Sequence, residues 1–225
     1  MSTLMPQAWA QVTAGLHADG WSVTSDDEAP TFTREAHGEL RYQLQVSLTE
    51  RRAGLSMLPS VGVEHQTEAR LFSRFLGLAE EAEAGVCMVG RTLPDLLPTR
   101  EDPPPPYGRW LGRDRATLDE AVAQVRDDIR RHAMPFLASF RTMQDVIRSA
   151  SGETSRQQND EAHLAIAWAL EGQTDEALTA LDRFAGQART QPPFVAEQSW
   201  AFVRRFINHF DVSQRSTLAR PSLIR

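Results

Sequence analysis

The stretch LRYQLQVSLTE (residues 40–50) decides the fold class of this chain. Five apolar residues in it alternate with polar ones, namely Leu40, Tyr42, Leu44, Val46 and Leu48. A period of two places one face of a strand in a core and the other face in water. The stretch therefore predicts a β-strand, and the loop that follows it, with Gly54 available for a positive φ, predicts a hairpin.

The remaining strand signals are shorter and lie on either side of this strand. The return strand is predicted over residues 55–63, and Pro59 within it lacks an amide hydrogen, so we expect either an edge strand or a bulge there. Further strands are predicted at residues 31–34 and 86–89. Together these segments predict a small antiparallel sheet of three to four strands.

Helical periodicity accounts for most of the rest of the chain. Apolar residues that recur every three or four positions share one face of a helix. Such helices are predicted at residues 4–18, at 68–78, from Thr117 and from Pro135 onward, over 162–186 as a helix-turn-helix, and at 194–210. The predicted fold class is α+β, with flanking helices around the small antiparallel sheet and an all-helical bundle after it.

A proline-rich segment gives the predicted domain organisation. Four consecutive prolines, Pro103 to Pro106, favour stiff and extended backbone. The chain accordingly divides into an α+β half at 1–97 with the hairpin at 40–63, a connector at 98–109, a helical half at 110–211 with the helix-turn-helix at 162–186, and a mobile tail at 212–225. We expect the two halves to form one continuous domain, because an isolated sheet of about forty residues would be only marginally stable.

Composition points to a protein of the cytoplasm. The chain has 225 residues, of which 41% are hydrophobic and 24% are charged. No apolar run approaches the eighteen or so residues of a membrane span. The N-terminus lacks the pattern of a secretory signal, and Cys87 is the only cysteine. We therefore expect a cytoplasmic protein with no intrachain disulfide and no membrane partner.

Charge is distributed unevenly along the chain. Residues 1–102 contain 15 acidic residues and 8 arginines, a net charge of −7, whereas residues 103–225 carry a net charge of +1. An acidic front half argues against a nucleic-acid partner and suits a basic protein. The alternative explanation is a solvated surface that keeps the protein in solution.

No catalytic or metal-binding set is recognisable at a known spacing. None of the six histidines forms an i, i+4 pair, and a cysteine pair is absent. Glu64 and His65 are adjacent on a strand and face opposite sides of it. Glu161 and His163 lie two residues apart and point to different faces of a helix. The sequence therefore predicts no catalytic residue, no metal site and no cofactor.

One short segment resembles a known helical unit. In AHLAIAWALEGQTDEALTALDRFAG (162–186), the small residues Ala165 and Ala177 stand where two antiparallel helices would approach, and Gly172 stands at the turn. With Trp168 at its usual spacing, the segment resembles a single tetratricopeptide-type unit. Phe184 departs from that pattern, and no second copy is present. The resemblance therefore implies one helical hairpin within a bundle, since a solenoid needs about three repeats.

A broader resemblance rests on the order of motifs. The chain carries HADGW (17–21), PTFTRE (30–35), the alternating hairpin, SVGVEH (60–65), EARLFSRFLGL (68–78) and RRHAMPFLASFRTMQDVI (130–147). This order resembles bacterial families of unknown function, some members of which are suspected toxin-immunity proteins. The resemblance implies a small sheet followed by helices and an immunity role, and it carries over no functional residues.

These observations lead to one expected function and two alternatives. We expect a non-enzymatic protein that binds another protein, with immunity-type inhibition of a basic bacterial toxin as the concrete hypothesis. The alternatives are a helical adaptor that docks a partner helix or peptide through the C-terminal bundle, and an unrecognised enzyme. The candidate partner-binding residues are the acidic Glu80, Glu81 and Glu83 and the aromatic Trp168 and Trp200. A solvated acidic run and packing of tryptophan in the core would explain the same residues structurally.

Overall fold

The computed structural model describes residues 4–24, 30–78, 87–98, 109–152 and 158–213. Its strands are β1 (Ser22–Val23), β2 (Thr31–Glu35), β3 (Leu40–Arg51), β4 (Gly54–His65), β5 (Val89–Thr92) and β6 (Leu111–Gly112). Its α-helices are α1 (Leu4–Ala18), α2 (Gln66–Leu76), α3 (Leu93–Leu96), α4 (Arg115–Asp128), α5 (Met134–Ala138), α6 (Met143–Ser151), α7 (Gln158–Leu170), α8 (Thr174–Ala188) and α9 (Pro193–His209). A π-helical turn, Ile129–Ala133, joins α4 to α5.

The predicted α+β class is confirmed. The described residues form one antiparallel sheet, the helices α1 to α3 before or between its strands, and a C-terminal helical region. The four longer strands, β2 to β5, correspond to the four strand signals in the sequence, with β5 shifted toward the C-terminus. The sheet has six strands rather than three to four, because β1 and β6 also pair with it. Each of these two strands is two residues long, which is too short to show a hydrophobic period.

The β3–β4 hairpin forms as the alternation predicts. Leu40, Tyr42, Leu44 and Val46 are all buried, and Gln45 and Ser47 are exposed. Gln43 departs from the alternation, because it is buried although the period of two places it on the water face. Gly54, which follows the turn, has φ of 136°, and a Cβ there would come within 2.5 Å of the Gly112 carbonyl oxygen on β6. A glycine is therefore required both by the backbone conformation and by the close approach of β6.

The expectation of an edge position for the return strand is wrong. The sheet order is β1-β2-β3-β4-β5, and β6 also pairs with β4, so β4 lies in the interior of the sheet. Along that side of β4, Leu55 and Ser56 pair with β6, and residues 60–63 pair with β5. Pro59 falls in the gap between these two short partners. Because neither β5 nor β6 pairs with β4 at residue 59, the missing amide hydrogen of Pro59 leaves no hydrogen bond of the sheet unformed there.

The helix that begins after β6 runs further than the sequence indicates. Asp114, rather than Thr117, caps α4, because its side chain accepts a hydrogen bond from the Thr117 amide at 2.9 Å. Pro135 was expected to open a new helix, yet the chain stays helical from α4 through the π-helical turn into α5. The wider π-helical turn precedes a proline that can neither donate a hydrogen bond nor fit against the carbonyl four residues back.

The chain forms two compact units. The first comprises Met1–Val63 and Val89–Arg141, and the second comprises Glu64–Met88 and Thr142–Arg225. This division differs from the predicted one, which placed residues 1–97 and 110–211 in separate halves. In the first unit α4 packs against α1 and β6, and in the second unit α2 packs against α7 and α9. Because the contacts of α4 with α1 and of α2 with α7 and α9 join segments far apart in the sequence, a break in composition at 98–109 does not reveal them.

Aromatic residues form much of the core of the second unit. Phe75 on α2 makes edge contacts with Phe202, Phe206 and Phe210, and Phe184 on α8 lies 4.8 Å from Phe202 between ring centroids. Such tilted and edge-to-face pairs are the favoured aromatic geometry. The stripe of phenylalanines along α9 is therefore explained by packing.

Several predicted features lie outside the described residues. These are Glu80, Glu81 and Glu83, the prolines Pro103 to Pro106, and the tail from residue 214 onward. Among the described helices, none combines the length and the apolar character that a membrane crossing requires.

Cutting the chain between Pro106 and Tyr107 is expected to leave the two fragments associated. Contacts within the first unit cross the cut: β6 pairs with β4, and Arg126 on α4 donates to Asp19, which follows α1, at 2.9 Å. A protease site introduced at this position, followed by size-exclusion chromatography, checks the prediction. One peak that contains both fragments in native buffer, and two peaks in denaturant, are expected. Two separate peaks in native buffer, each with its own cooperative melt, would instead show two domains that divide at 98–109 and would contradict the expected single domain.

Candidate functional site

A surface pocket on the second unit is the best candidate for a functional site. Its cavity volume is about 320 Å³. The described residues that line it come from the C-terminus of α6, from α7 and from α8, and they are Ser151, Leu164, Trp168, Asp175, Glu176, Thr179, Ala180 and Arg183. A volume of this size lies at the lower end of the range for ligand pockets and can hold one large side chain.

The sequence of the α7–α8 hairpin explains why a pocket forms here. Gly172 at the turn has φ of 73°, a left-handed conformation that glycine adopts at little cost. Ala165 and Ala177 are both buried, and such small side chains let the two helices approach closely. Trp168, one turn further along α7, is too large for this contact and stays partly exposed beside α8. The predicted helix-turn-helix is thus present.

Charged side chains surround Trp168. Asp175 and Glu176 lie in the first turn of α8 and are exposed. Arg183 is also exposed, and its guanidinium lies 3.9 Å from Oε2 of Glu161, a side chain that is only 4% exposed. The positive charge of Arg183 is therefore directed toward a buried carboxylate, whereas Asp175 and Glu176 face the solvent.

The two candidate tryptophans differ in their position relative to the pocket. Trp168 lines the pocket. Trp200 on α9 is also only partly exposed, but it is not among the described lining residues. Trp168 is therefore the better candidate for a binding residue, and Trp200 offers a matched comparison.

A buried pair of ionisable residues in the same unit was missed by the sequence analysis. Nδ1 of His163 on α7 lies 2.9 Å from Oε1 of Glu68 on α2, so the two side chains share a hydrogen bond. His163 is 7% exposed and Glu68 is fully buried. The Phe72 ring stacks on the imidazole, with 3.8 Å between ring centroids.

Local structure holds Glu68 in place. His65 precedes α2 and caps it, because its Nδ1 accepts a hydrogen bond from the Glu68 amide. The second carboxylate oxygen of Glu68, Oε2, is buried and has no hydrogen-bond partner among the described residues. A carboxylate removed from solvent in this way is out of reach of a substrate. We therefore regard the pair as a structural link between α2 and α7.

A second polar cluster, in the first unit, is also structural. Asp128 accepts hydrogen bonds from Arg109 Nε and Nη2, both at 3.0 Å, and from the indole Nε1 of Trp110 at 2.9 Å. Burial by itself would raise the pKa of Asp128, but the hydrogen bonds from Arg109 and Trp110, together with the charges of Arg109 and His132, lower it below its ordinary value. All these contacts are explained by the need to satisfy a buried carboxylate.

Metal binding has no support in the described residues. In that part of the chain, no group of three or more histidine, cysteine, aspartate or glutamate side chains could hold a metal ion. Cys87 precedes β5 and is partly exposed.

Comparison with known proteins gives no functional lead. No protein-family model, no curated protein and no solved structure matches this chain. The pocket around Trp168 is thus the feature from which a function can be inferred.

Proposed function

We propose that this chain is a non-enzymatic protein-binding protein that contacts its partner through the pocket between α7 and α8. The observation that carries the proposal is the partly exposed indole of Trp168 at the wall of a cavity of about 320 Å³. Tryptophan is enriched among the residues that dominate binding energy at protein interfaces. An indole kept partly in water on an otherwise well-packed helix is suited to that role.

The composition of the pocket supports binding rather than catalysis. Among the described lining residues, Ser151 and Thr179 are possible nucleophiles, and the Thr179 hydroxyl donates to the backbone carbonyl of Asp175 at 2.8 Å rather than to a carboxylate. A serine nucleophile needs a base within hydrogen-bond reach. The buried imidazole of His163 shares its Nδ1 hydrogen bond with Glu68 instead.

Replacing Trp168 with alanine is expected to weaken partner binding by about 2 kcal/mol or more, which is about 30-fold in Kd. The partner is first recovered by affinity purification of the tagged protein from its native host at low salt, and the purified pair is then titrated by calorimetry. Trp200→Ala is the matched control, because it truncates an equally bulky and partly exposed indole in the same unit. It is expected to leave Kd within about twofold.

Several outcomes would contradict this function. Equal loss of binding in the two alanine variants, with both still folded by circular dichroism, would remove the special role of the pocket. Failure to recover any stoichiometric partner would remove the main support for a binding protein.

Immunity-type inhibition of a basic toxin is the more specific form of this proposal. It is supported by the net charge of −7 over residues 1–102, since complementary potentials steer association. Reversing the charges of Glu80, Glu81 and Glu83 together tests it. If that variant loses binding and Trp168→Ala does not, an acidic patch rather than the helical pocket contacts the partner.

A further inference from the structure

We infer that the pocket binds a cationic side chain, arginine or lysine, that projects from the partner protein. This inference rests on the proposed function and names the chemistry of the group that the pocket receives. It depends on three observations on the second unit: the charges at the pocket, the position of the indole, and the size of the cavity.

The charges at the pocket favour a cation. Asp175 and Glu176 contribute two exposed carboxylates, and Arg183 contributes one guanidinium, which lies 3.9 Å from the buried carboxylate of Glu161. Among the described lining residues, two carboxylates thus accompany one guanidinium, and the pairing of Arg183 with the buried Glu161 leaves the two carboxylates on α8 uncompensated by it. The N-terminus of α8 supplies only about half a positive charge. A ligand with a positive charge would therefore be attracted to the α8 end of the pocket.

The indole of Trp168 suits the same ligand. It comes from α7, whereas both carboxylates come from the first turn of α8, so an aromatic ring and two acidic groups line one cavity. A guanidinium or ammonium group over a tryptophan face is attracted by the ring quadrupole, and tryptophan is the best aromatic partner for this contact. The apolar stem of the incoming side chain would lie against Leu164 and Ala180.

The size of the cavity limits the ligand to one side chain. A volume of about 320 Å³ is small for a drug-sized molecule and sufficient for an extended arginine or lysine. The pocket would thus act as the anchor point of a larger protein contact, as buried arginine anchors do at other interfaces.

The test uses the full chain and two small probes of the same shape. N-acetyl-arginine amide is titrated into the ¹⁵N-labelled protein, and the indole N–H resonance of Trp168, assigned from its loss in Trp168→Phe, is followed by NMR. N-acetyl-citrulline amide, which is neutral, is the matched probe. We expect a saturable shift with the arginine probe and at least about tenfold weaker binding of the citrulline probe. No saturable shift with the arginine probe, or equal binding of both probes, would overturn the inference.

A charge-neutralised variant tests whether Asp175 and Glu176 are responsible for the affinity for the arginine probe. The double variant Asp175→Asn with Glu176→Gln is expected to lose at least about tenfold in affinity for the arginine probe. Glu197→Gln with Asp211→Asn is the matched control, because it removes two exposed carboxylates from the same unit outside the described pocket lining. Unchanged arginine binding in the first variant would overturn the inference.

Partner binding distinguishes failure of this inference from failure of the proposed function. If Trp168→Ala weakens the partner complex and the double neutralisation leaves it intact, the pocket binds the partner by another chemistry and only the inference fails. If neither change affects the complex, the proposed function itself fails.

Discussion

Replacing Asp128 with alanine is expected to lower the free energy of unfolding by about 3–5 kcal/mol, because removal of one partner from a buried charged pair leaves the other uncompensated. Arg109 would lose its bidentate acceptor, and the buried indole N–H of Trp110 would lose the carboxylate oxygen that accepts its hydrogen bond at 2.9 Å. For a chain of this length, each kcal/mol shifts the melting temperature by about 2–4 °C. Thermal unfolding followed by circular dichroism measures the change.

The neighbouring Asp127 provides the control. It pairs with Arg131 at 2.9 Å, and the Arg131 side chain is 69% exposed. An ion pair of this kind contributes about 0–1 kcal/mol, so Asp127→Ala should melt close to the unmodified protein. If the two alanine variants melt at the same temperature, the cluster around Asp128 does not stabilise the fold as its geometry indicates.

The effect of Asp128 should depend on pH in a defined direction. The pKa of Asp128 is lowered in the folded protein, despite the opposing effect of burial, by its hydrogen bonds and by the nearby positive charges. A group with a lowered folded pKa stabilises the protein above its unfolded pKa, about 3.9 for aspartate, and this contribution is lost as the pH falls through the folded value. The difference between the unmodified protein and Asp128→Ala should therefore be full at neutral pH and should shrink below about pH 4. A difference that stays constant down to the acid transition would contradict this assignment.

Replacing Glu68 with alanine is the second change with a large expected effect. The variant leaves the imidazole of His163, on which the Phe72 ring stacks, buried without the carboxylate that shares its hydrogen bond. A loss of about 3–5 kcal/mol in the free energy of unfolding is expected, as for other broken buried pairs. Urea unfolding followed by far-ultraviolet circular dichroism measures it, and Arg74→Ala, an exposed change on the same helix, is the control.

A double replacement distinguishes the contribution of the pair to the free energy of unfolding from the loss that follows when only one partner is removed. Glu68→Met together with His163→Leu removes both polar groups and fills much of their volume with apolar atoms. Replacement of both partners of a buried hydrogen bond by apolar groups of similar shape can be nearly neutral or stabilising. We therefore expect the double variant to be more stable than Glu68→Ala alone. A double variant that is still less stable would show that the polar pair contributes more than its packing.

The candidate site was only partly predictable from the sequence. Trp168 was identified as a tryptophan on the face of a predicted helix, because tryptophan is enriched at protein interfaces, and the structure places it at a pocket. Trp200 was identified by the same reasoning and does not line that pocket. Asp175, Glu176 and Arg183 on α8 line the pocket together with Trp168. The sequence around a single tryptophan does not show which charged residues will lie in the same pocket.

Local periodicity by itself determined the elements of this chain. The alternation from Leu40 to Leu48, the glycine at residue 172 and the apolar stripes of the helices each act over a few residues, so the strands β2 to β4 and the α7–α8 hairpin could be placed from sequence alone. The two-residue strands β1 and β6 carry no such period.

Only the tertiary structure decided which elements share a unit and which polar groups meet. Glu68 and His163 are 95 residues apart, and Asp19 and Arg126 are 107 residues apart, yet each pair lies at hydrogen-bond distance. Pro59 lies in an interior strand because two short partners leave a gap at its position. Such arrangements result from the burial of many apolar side chains at once, whereas capping, turns and periodicity depend on neighbours along the chain. This difference in range explains why the sequence gives the elements of this protein, while the buried pairs and the pocket emerge only when the elements pack.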